Sequence, residues 1–164
     1  MSMEQNIQNW LVEESLIKEK ANDPNANFHY VINYPDKNNM DVVQPKGKKD
    51  LIIIGCGTQV SPEHIQLMNE SSNSEKEEFL WELRFGLNNL LLDFQINVDT
   101  NKNLNQFIIT DNLFEDGLTK NSLIKTINKI FKAKLLCIWL IEKYFGSTTK
   151  SNFDIPEIND SMFV

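Results

Sequence analysis

Arginine is almost absent from this chain, with Arg84 its sole representative. Proteins that hold nucleic acid need clustered cations for the phosphates, and arginine is the usual reader of base edges. Here acidic residues outnumber basic ones, 23 against 16, for a formal net charge of -7. That balance argues against a nucleic-acid partner. Cysteine and histidine are equally scarce: Cys56 and Cys137, His29 and His64. They are scattered along the chain, without the chelating spacing of a structural zinc site. The cysteines read as reduced, buried thiols rather than a disulfide, because no secretion signal precedes them. Long apolar runs are missing too. The longest, Leu135 to Ile141, falls far short of the roughly 20 residues that span a bilayer. The N-terminal residues lack the basic start and apolar stretch of a signal peptide. These absences predict a cytoplasmic protein with no membrane partner, no metal and no cofactor.

What is present suits one domain: 164 residues, 41% of them hydrophobic, are enough for a packed core. Met3, Ile7, Trp10 and Leu11 share one helical stripe, so a first helix is expected from Met3 to about Glu14. Leu16 to Ala21 is ambiguous between a last turn and a short extended piece. Phe28, Tyr30, Ile32 and Tyr34 alternate as a strand with its large rings on one face. Met40 to Gln44 makes a second strand, and Leu51 to Ile54 a β-branched run expected to be buried on both faces. Short links between these three strands predict an antiparallel meander.

Ser61-Pro62-Glu63 is a helix start, with Ser as N-cap and Pro at the first helical position. After a Ser/Asn break at residues 71 to 74, a longer helix is predicted over Glu75 to Leu92. Phe94, Ile96 and Val98 give a fourth strand and Phe107 to Thr110 a fifth. A final helix runs to about Phe145, with Gly146 as its stop. The expected order is α-β-β-β-α-β-β-α: a single α+β domain over residues 1–146, an antiparallel sheet with helices, followed by a disordered tail over 147–164.

Few residues carry a chemical signal. Gly55-Cys56-Gly57-Thr58 leaves a strand toward a helix start, where phosphate-cradling loops sit. The third glycine of the dinucleotide fingerprint is replaced by Val60, and no P-loop Gly-Lys-Ser/Thr exists. Glycines at a strand end more simply permit a bulge or a close approach. Cys56 and His64 would need to fold together to act as nucleophile and base; otherwise Cys56 is inert core and His64 an exposed first-turn residue. His29 reads as a solvated sheet position. Phe28, Tyr30 and Tyr34 lack the basic surroundings of a base-stacking sheet and read as its core face.

The long helices are more informative. On residues 75 to 92, Phe79, Leu83, Leu87 and Leu90 fill one arc, while Trp81, Phe85 and Leu92 form a second stripe nearly opposite. A surface helix needs only one apolar face, so this one is sandwiched, either inside the chain or against another subunit. The last helix is apolar all round from Leu135 to Ile141 and should be covered all round. Lys134 falls within its apolar stripe, either snorkelling or marking an offset of the helix.

Trp10-Leu11-x-Glu13-Glu14, Phe28 at a strand opening, Asp50 before Ile52-Ile53-Ile54, and Ser61-Pro62-Glu63-His64 resemble a small, largely archaeal family of uncharacterised proteins. Its element order is similar to the type III secretion chaperone-like fold. The likeness spans residues 3 to 146 and implies that fold, dimerisation and protein binding. It carries over no catalytic residues. The leading expectation is therefore a non-enzymatic interaction domain, chaperone- or adaptor-like, forming a homodimer and holding a protein or peptide partner, with Trp81, Phe85 and Leu92 as its interface. The alternative is a small-ligand binder or enzyme with a pocket near Cys56, Gly57 and His64.

Overall fold

Hydroxyl side chains open every long helix. In the computed structural model, which describes residues 1–147, Ser2 caps α1 (Met3–Glu13) and Ser61 caps α2 (Pro62–Glu70). Ser72 caps α3 (Asn73–Asn89), and Thr119 caps α4 (Lys120–Phe145). Each side-chain oxygen accepts a backbone N–H that the helix itself leaves unpaired, a bond worth about 1 kcal/mol. Ser72 is the reason α2 and α3 are separate elements: Ser71 leaves α2 in extended conformation and Ser72 starts afresh.

Six strands form one antiparallel sheet: β1 (Ile17–Lys20), β2 (Ala26–Asn33), β3 (Asn39–Pro45), β4 (Leu51–Gln59), β5 (Asp93–Val98) and β6 (Leu104–Phe114). Their spatial order is β1-β2-β3-β4-β6-β5. The meander of β2, β3 and β4 is as expected, and the α+β class holds. The order along the chain, α-β-β-β-β-α-α-β-β-α, corrects the expectation twice. The break at residues 71 to 74 divides two helices, and the ambiguous segment after α1 is an edge strand. Its charged side chains carry no apolar alternation, and pairing with β2 alone defines it.

Burial alternates strictly across the inner strands. Phe28, Tyr30 and Ile32 on β2, Met40 and Val42 on β3, Ile52, Ile54 and Cys56 on β4, and Phe107 and Ile109 on β6 are all buried. The helices lie on this side. α4 crosses β4 and β6 and brings in Ile127, Ile130, Cys137, Ile138 and Ile141, α3 adds Phe79, Leu83 and Leu87, and α1 adds Ile7 and Leu11. Burying one such aliphatic side chain stabilises the fold by about 1.5–3 kcal/mol. The opposite side, with Val31, Val43, Ile53 and Ile108, is only half-buried. So β4 is not covered on both faces: Leu51 and Ile53 look outward while Ile52 and Ile54 look in.

α4 also departs from expectation. Trp139 is 57% exposed within the run that was to be covered all round. Lys134 reaches the Asn38 side-chain carbonyl at the end of the β2–β3 turn, so its ammonium meets a polar group at the rim of the core. The expected tail lies, beyond Ser147, outside the described residues.

Candidate functional site

The second apolar stripe of α3 divides in two. Trp81 and Phe85 are 55% and 64% exposed, whereas Leu92 is 6% exposed and belongs to the core. Leu92 is no part of the helix. α3 ends at Asn89, Leu90 caps it, and Leu91 takes a left-handed φ of 57°. That reversal turns Leu92 inward, away from the angular position that a continued helix would give it. Leu91 is left 83% exposed in its place.

Trp81 and Phe85 stack, with ring centroids 5.7 Å apart and planes 28° from parallel. Arg84 lies over the Trp81 ring at 5.0 Å, a cation–π contact that holds the indole in place. The neighbouring helix fixes the surroundings. A Cβ on Gly86 would sit 2.7 Å from Leu136 Cδ2, so the missing side chain lets α3 and α4 approach closely. One helical turn earlier, Glu82 accepts from Lys143 Nζ at 3.1 Å and from the Tyr144 hydroxyl at 2.5 Å. The Tyr144 bond, then Lys143, hold the Glu82 carboxyl below its usual range, and the same contact with Glu82 pushes the Tyr144 phenol up to about 12. In this antiparallel register Trp139 stands level with Phe85. Two tryptophans and a phenylalanine on α3 and α4 are thus exposed.

Cys56 and His64 are not paired as nucleophile and base, each side chain having other partners. The Cys56 thiol points into the core, toward the Asn39 carbonyl at 3.7 Å and the Thr58 hydroxyl at 3.9 Å. Burial pushes that thiol up and outweighs the opposite pull of nearby Lys134. Cys137 is pushed up to about 12, chiefly by burial and also by the proximity of Cys56. His64 is 1% exposed rather than a surface residue. Its Nε2 donates to the Gly146 carbonyl at 3.1 Å, and Nδ1 lies 3.1 Å from the Ser61 hydroxyl, so it fastens α2 to the end of α4. Neither group is available for nucleophilic chemistry.

Gly57 points the other way, to the half-open face of the sheet. Val43, Ile53, Gly55, Cys56, Gly57, Ile108 and Thr110 line a shallow hollow of about 290 Å3, together with His29 and Asp41. Thr110 accounts for Gly55, where a Cβ would come within 3.0 Å of the threonine methyl. His29 sits between two carboxylates, Asp23 at 3.0 Å from Nδ1 and Asp41 at 2.7 Å from Nε2. A carboxylate only accepts, so pairing with both at once favours the doubly protonated ring. Partial burial lowers the His29 pKa, but the bonds to Asp41 and Asp23 outweigh it and raise it overall. Strand alternation placed His29 on this face correctly. Its two partners were hidden, since Asp23 lies in a turn and Asp41 required the β2–β3 register. Trp139 was masked by the unbroken apolar run around it.

Among the described residues, no three His, Cys, Asp or Glu side chains gather where they would hold a metal ion, and no helix is long and apolar enough to cross a membrane.

The chain is similar to known proteins chiefly at the level of family. No functionally curated protein matches it. YbjN from E. coli has 12% identity and a TM-score of 0.45, over 84% of this chain and 88% of that one. An uncharacterized protein from the archaeon Methanothermobacter thermautotrophicus is much more similar. Its crystal structure superposes with a TM-score of 0.85 and 43% identity, over 89% of this chain and all of the other. A family model matches residues 3–141, and the chain therefore belongs to the family described as uncharacterized conserved protein DUF2299.

Proposed function

We propose that this protein is a non-enzymatic interaction domain that self-associates through the outer face of α3. The observation that carries the reading is the stacked, exposed Trp81–Phe85 pair, with Trp139 on the adjacent helix exposed as well. Monomeric proteins rarely leave several large aromatic side chains together in water, and tryptophan, tyrosine and arginine dominate the energetics of protein interfaces. A second copy of the chain is the favoured occupant. Glu77 and Glu78 precede Trp81 on exposed or flanking positions of α3, and Arg84 follows it. Antiparallel pairing of two such helices would bring Glu77 and Glu78 of each toward Arg84 of the other, the reciprocal contact of a two-fold interface. A dimer built in this way presents two open sheet faces for a protein or peptide segment, in keeping with an adaptor- or chaperone-like role. The burial of the Cys56 thiol, which pushes it away from ionisation, agrees with this reading.

The test is the double variant Trp81→Gln, Phe85→Gln, followed by sedimentation and circular dichroism. Both side chains are exposed in the single chain, so each replacement should alter folding stability by only about 0.5 kcal/mol. A folded monomer beside a dimeric wild type is expected. A wild type that stays monomeric at high concentration would end the proposal.

A further inference from the structure

We infer that the polar cavity at the N-terminal end of α3 binds a small phosphoryl oxyanion. The cavity has a volume of about 480 Å3 and is lined by Asn69, Ser71, Asn73, Lys76, Thr100, Asn101 and Lys102. In a chain with a net charge of -7, this lining stands out: it holds two ammonium groups and no carboxylate.

Lys76 is the central observation. It is 3% exposed, and lysine is almost never so buried without a counter-charge. Its Nζ donates to the Asn101 carbonyl at 2.9 Å and to the Asn103 side-chain carbonyl at 3.1 Å. Both acceptors are neutral. An ammonium has three N–H groups, and the third has no acceptor among the described residues, nor does any carboxylate there lie within ion-pair distance. Fastening the 99–103 turn to α3 needs only a donor, which a neutral side chain would supply. The charge itself is unexplained by the fold, and burying a charge without compensation is costly.

Neither nearby carboxylate pairs with Lys76. Asp99 accepts from the backbone N–H groups of Asn101 and Asn103, both at 2.9 Å, and from the Asn103 amide at 3.2 Å. Those bonds, led by the one from the Asn103 backbone, hold its pKa below the usual range. Glu77 pairs with Lys102 on the rim. The first-turn amides of α3, at Asn73 and Ser74, have no partner within the helix by construction, and the positive end of the helix dipole lies at the same place. Lys76 without a carboxylate partner, Lys102 shared with Glu77 on the rim, and a helix start around a polar cavity form a receptor for an oxyanion with several acceptor oxygens.

The experiment is an amide-resolved NMR titration of the full chain with inorganic phosphate, with chloride at matched ionic strength as control and glycerol phosphate and succinate as further arms. Phosphate should produce saturable shifts confined to residues 71–76 and 99–103 that chloride does not reproduce. Glycerol phosphate binding more tightly than inorganic phosphate would identify the ligand as a phosphomonoester, and the reverse order would identify free phosphate. Two variants keep the result independent of folding. Asn73→Asp places an acid at the start of α3, where it favours the helix, so the protein should melt no lower than wild type yet bind phosphate at least about tenfold more weakly. Lys102→Ala removes only a surface pair and should weaken binding by a similar factor while leaving the fold intact. Absence of saturable shifts, binding unaffected by Asn73→Asp, or preference for succinate over both phosphates would each overturn the assignment.

Discussion

The pairing of His29 with Asp23 and Asp41 makes the protein's stability depend on pH in a definite direction. A histidine whose folded-state pKa is raised above the ordinary value of 6.5 binds its proton more tightly when folded than when unfolded. Its stabilising contribution is therefore complete below about pH 6.5 and fades as the pH climbs through the folded-state value. Titration of the His29 ring by NMR should give a pKa above that of free histidine. Asp41→Asn should lower it more than Asp23→Asn, because the Asp41 bond contributes the larger upward push. A value at or below the free one would show that the two carboxylates do not hold the ring. The cysteines give a second expectation at this scale. Only the thiolate reacts, and Cys56 and Cys137 are buried thiols pushed away from ionisation. Thiol reagents should label native protein slowly and unfolded protein fast. Rapid labelling of Cys56 at neutral pH would instead revive a catalytic reading of that locus.

Among the elements, the link from α3 to β5 carries a destabilising residue. Leu91 holds a left-handed conformation that L-residues disfavour by about 1–2 kcal/mol and that glycine adopts freely, and its side chain is 83% exposed. Leu91→Gly should raise stability by about 0.5–1 kcal/mol in a denaturant titration, and a loss would mean that the leucine packs against something beyond the single chain. At the other seam, Gly86→Val should cost about 1–3 kcal/mol, because the added branches meet Leu136 where the helices are closest. Caps and periodicities made most of these elements legible in advance. Ser61-Pro62, Gly146 and the alternation of Phe28, Tyr30 and Ile32 each signalled one element through local chemistry. β1 was not legible, because Ile17–Lys20 has no apolar alternation and is a strand only through its pairing with β2. The end of α3 was missed for a related reason: leucines at positions 90, 91 and 92 look equally helical, and the reversal at Leu91 is imposed by the chain's return into β5.

For the molecule as a whole, the decisive feature is that its helices cover one side of the sheet. A continuous run such as Leu51–Ile54 cannot reveal this, since a strand buried twice and a strand with an apolar but uncovered outer face are written with the same residues. The aromatic stripe was legible because Trp81 and Phe85 contradict the polar pattern around them. The polar cavity was not, because its parts come from separate segments that only folding brings together. The strand order has a further consequence, which concerns how the protein opens rather than how it binds. β6 pairs with β4 over the whole of Leu51 to Gln59 and with β5 on its other edge, while β1 is held by a few pairs to β2 across a register shift. Amide hydrogens should then exchange with solvent in a ranked sequence, β1 first and the β4–β6 ladder last, at a rate set by global unfolding. Hydrogen–deuterium exchange followed by mass spectrometry would read this ranking directly, and a β1 as slow as β6 would show that the β1 edge is covered in solution.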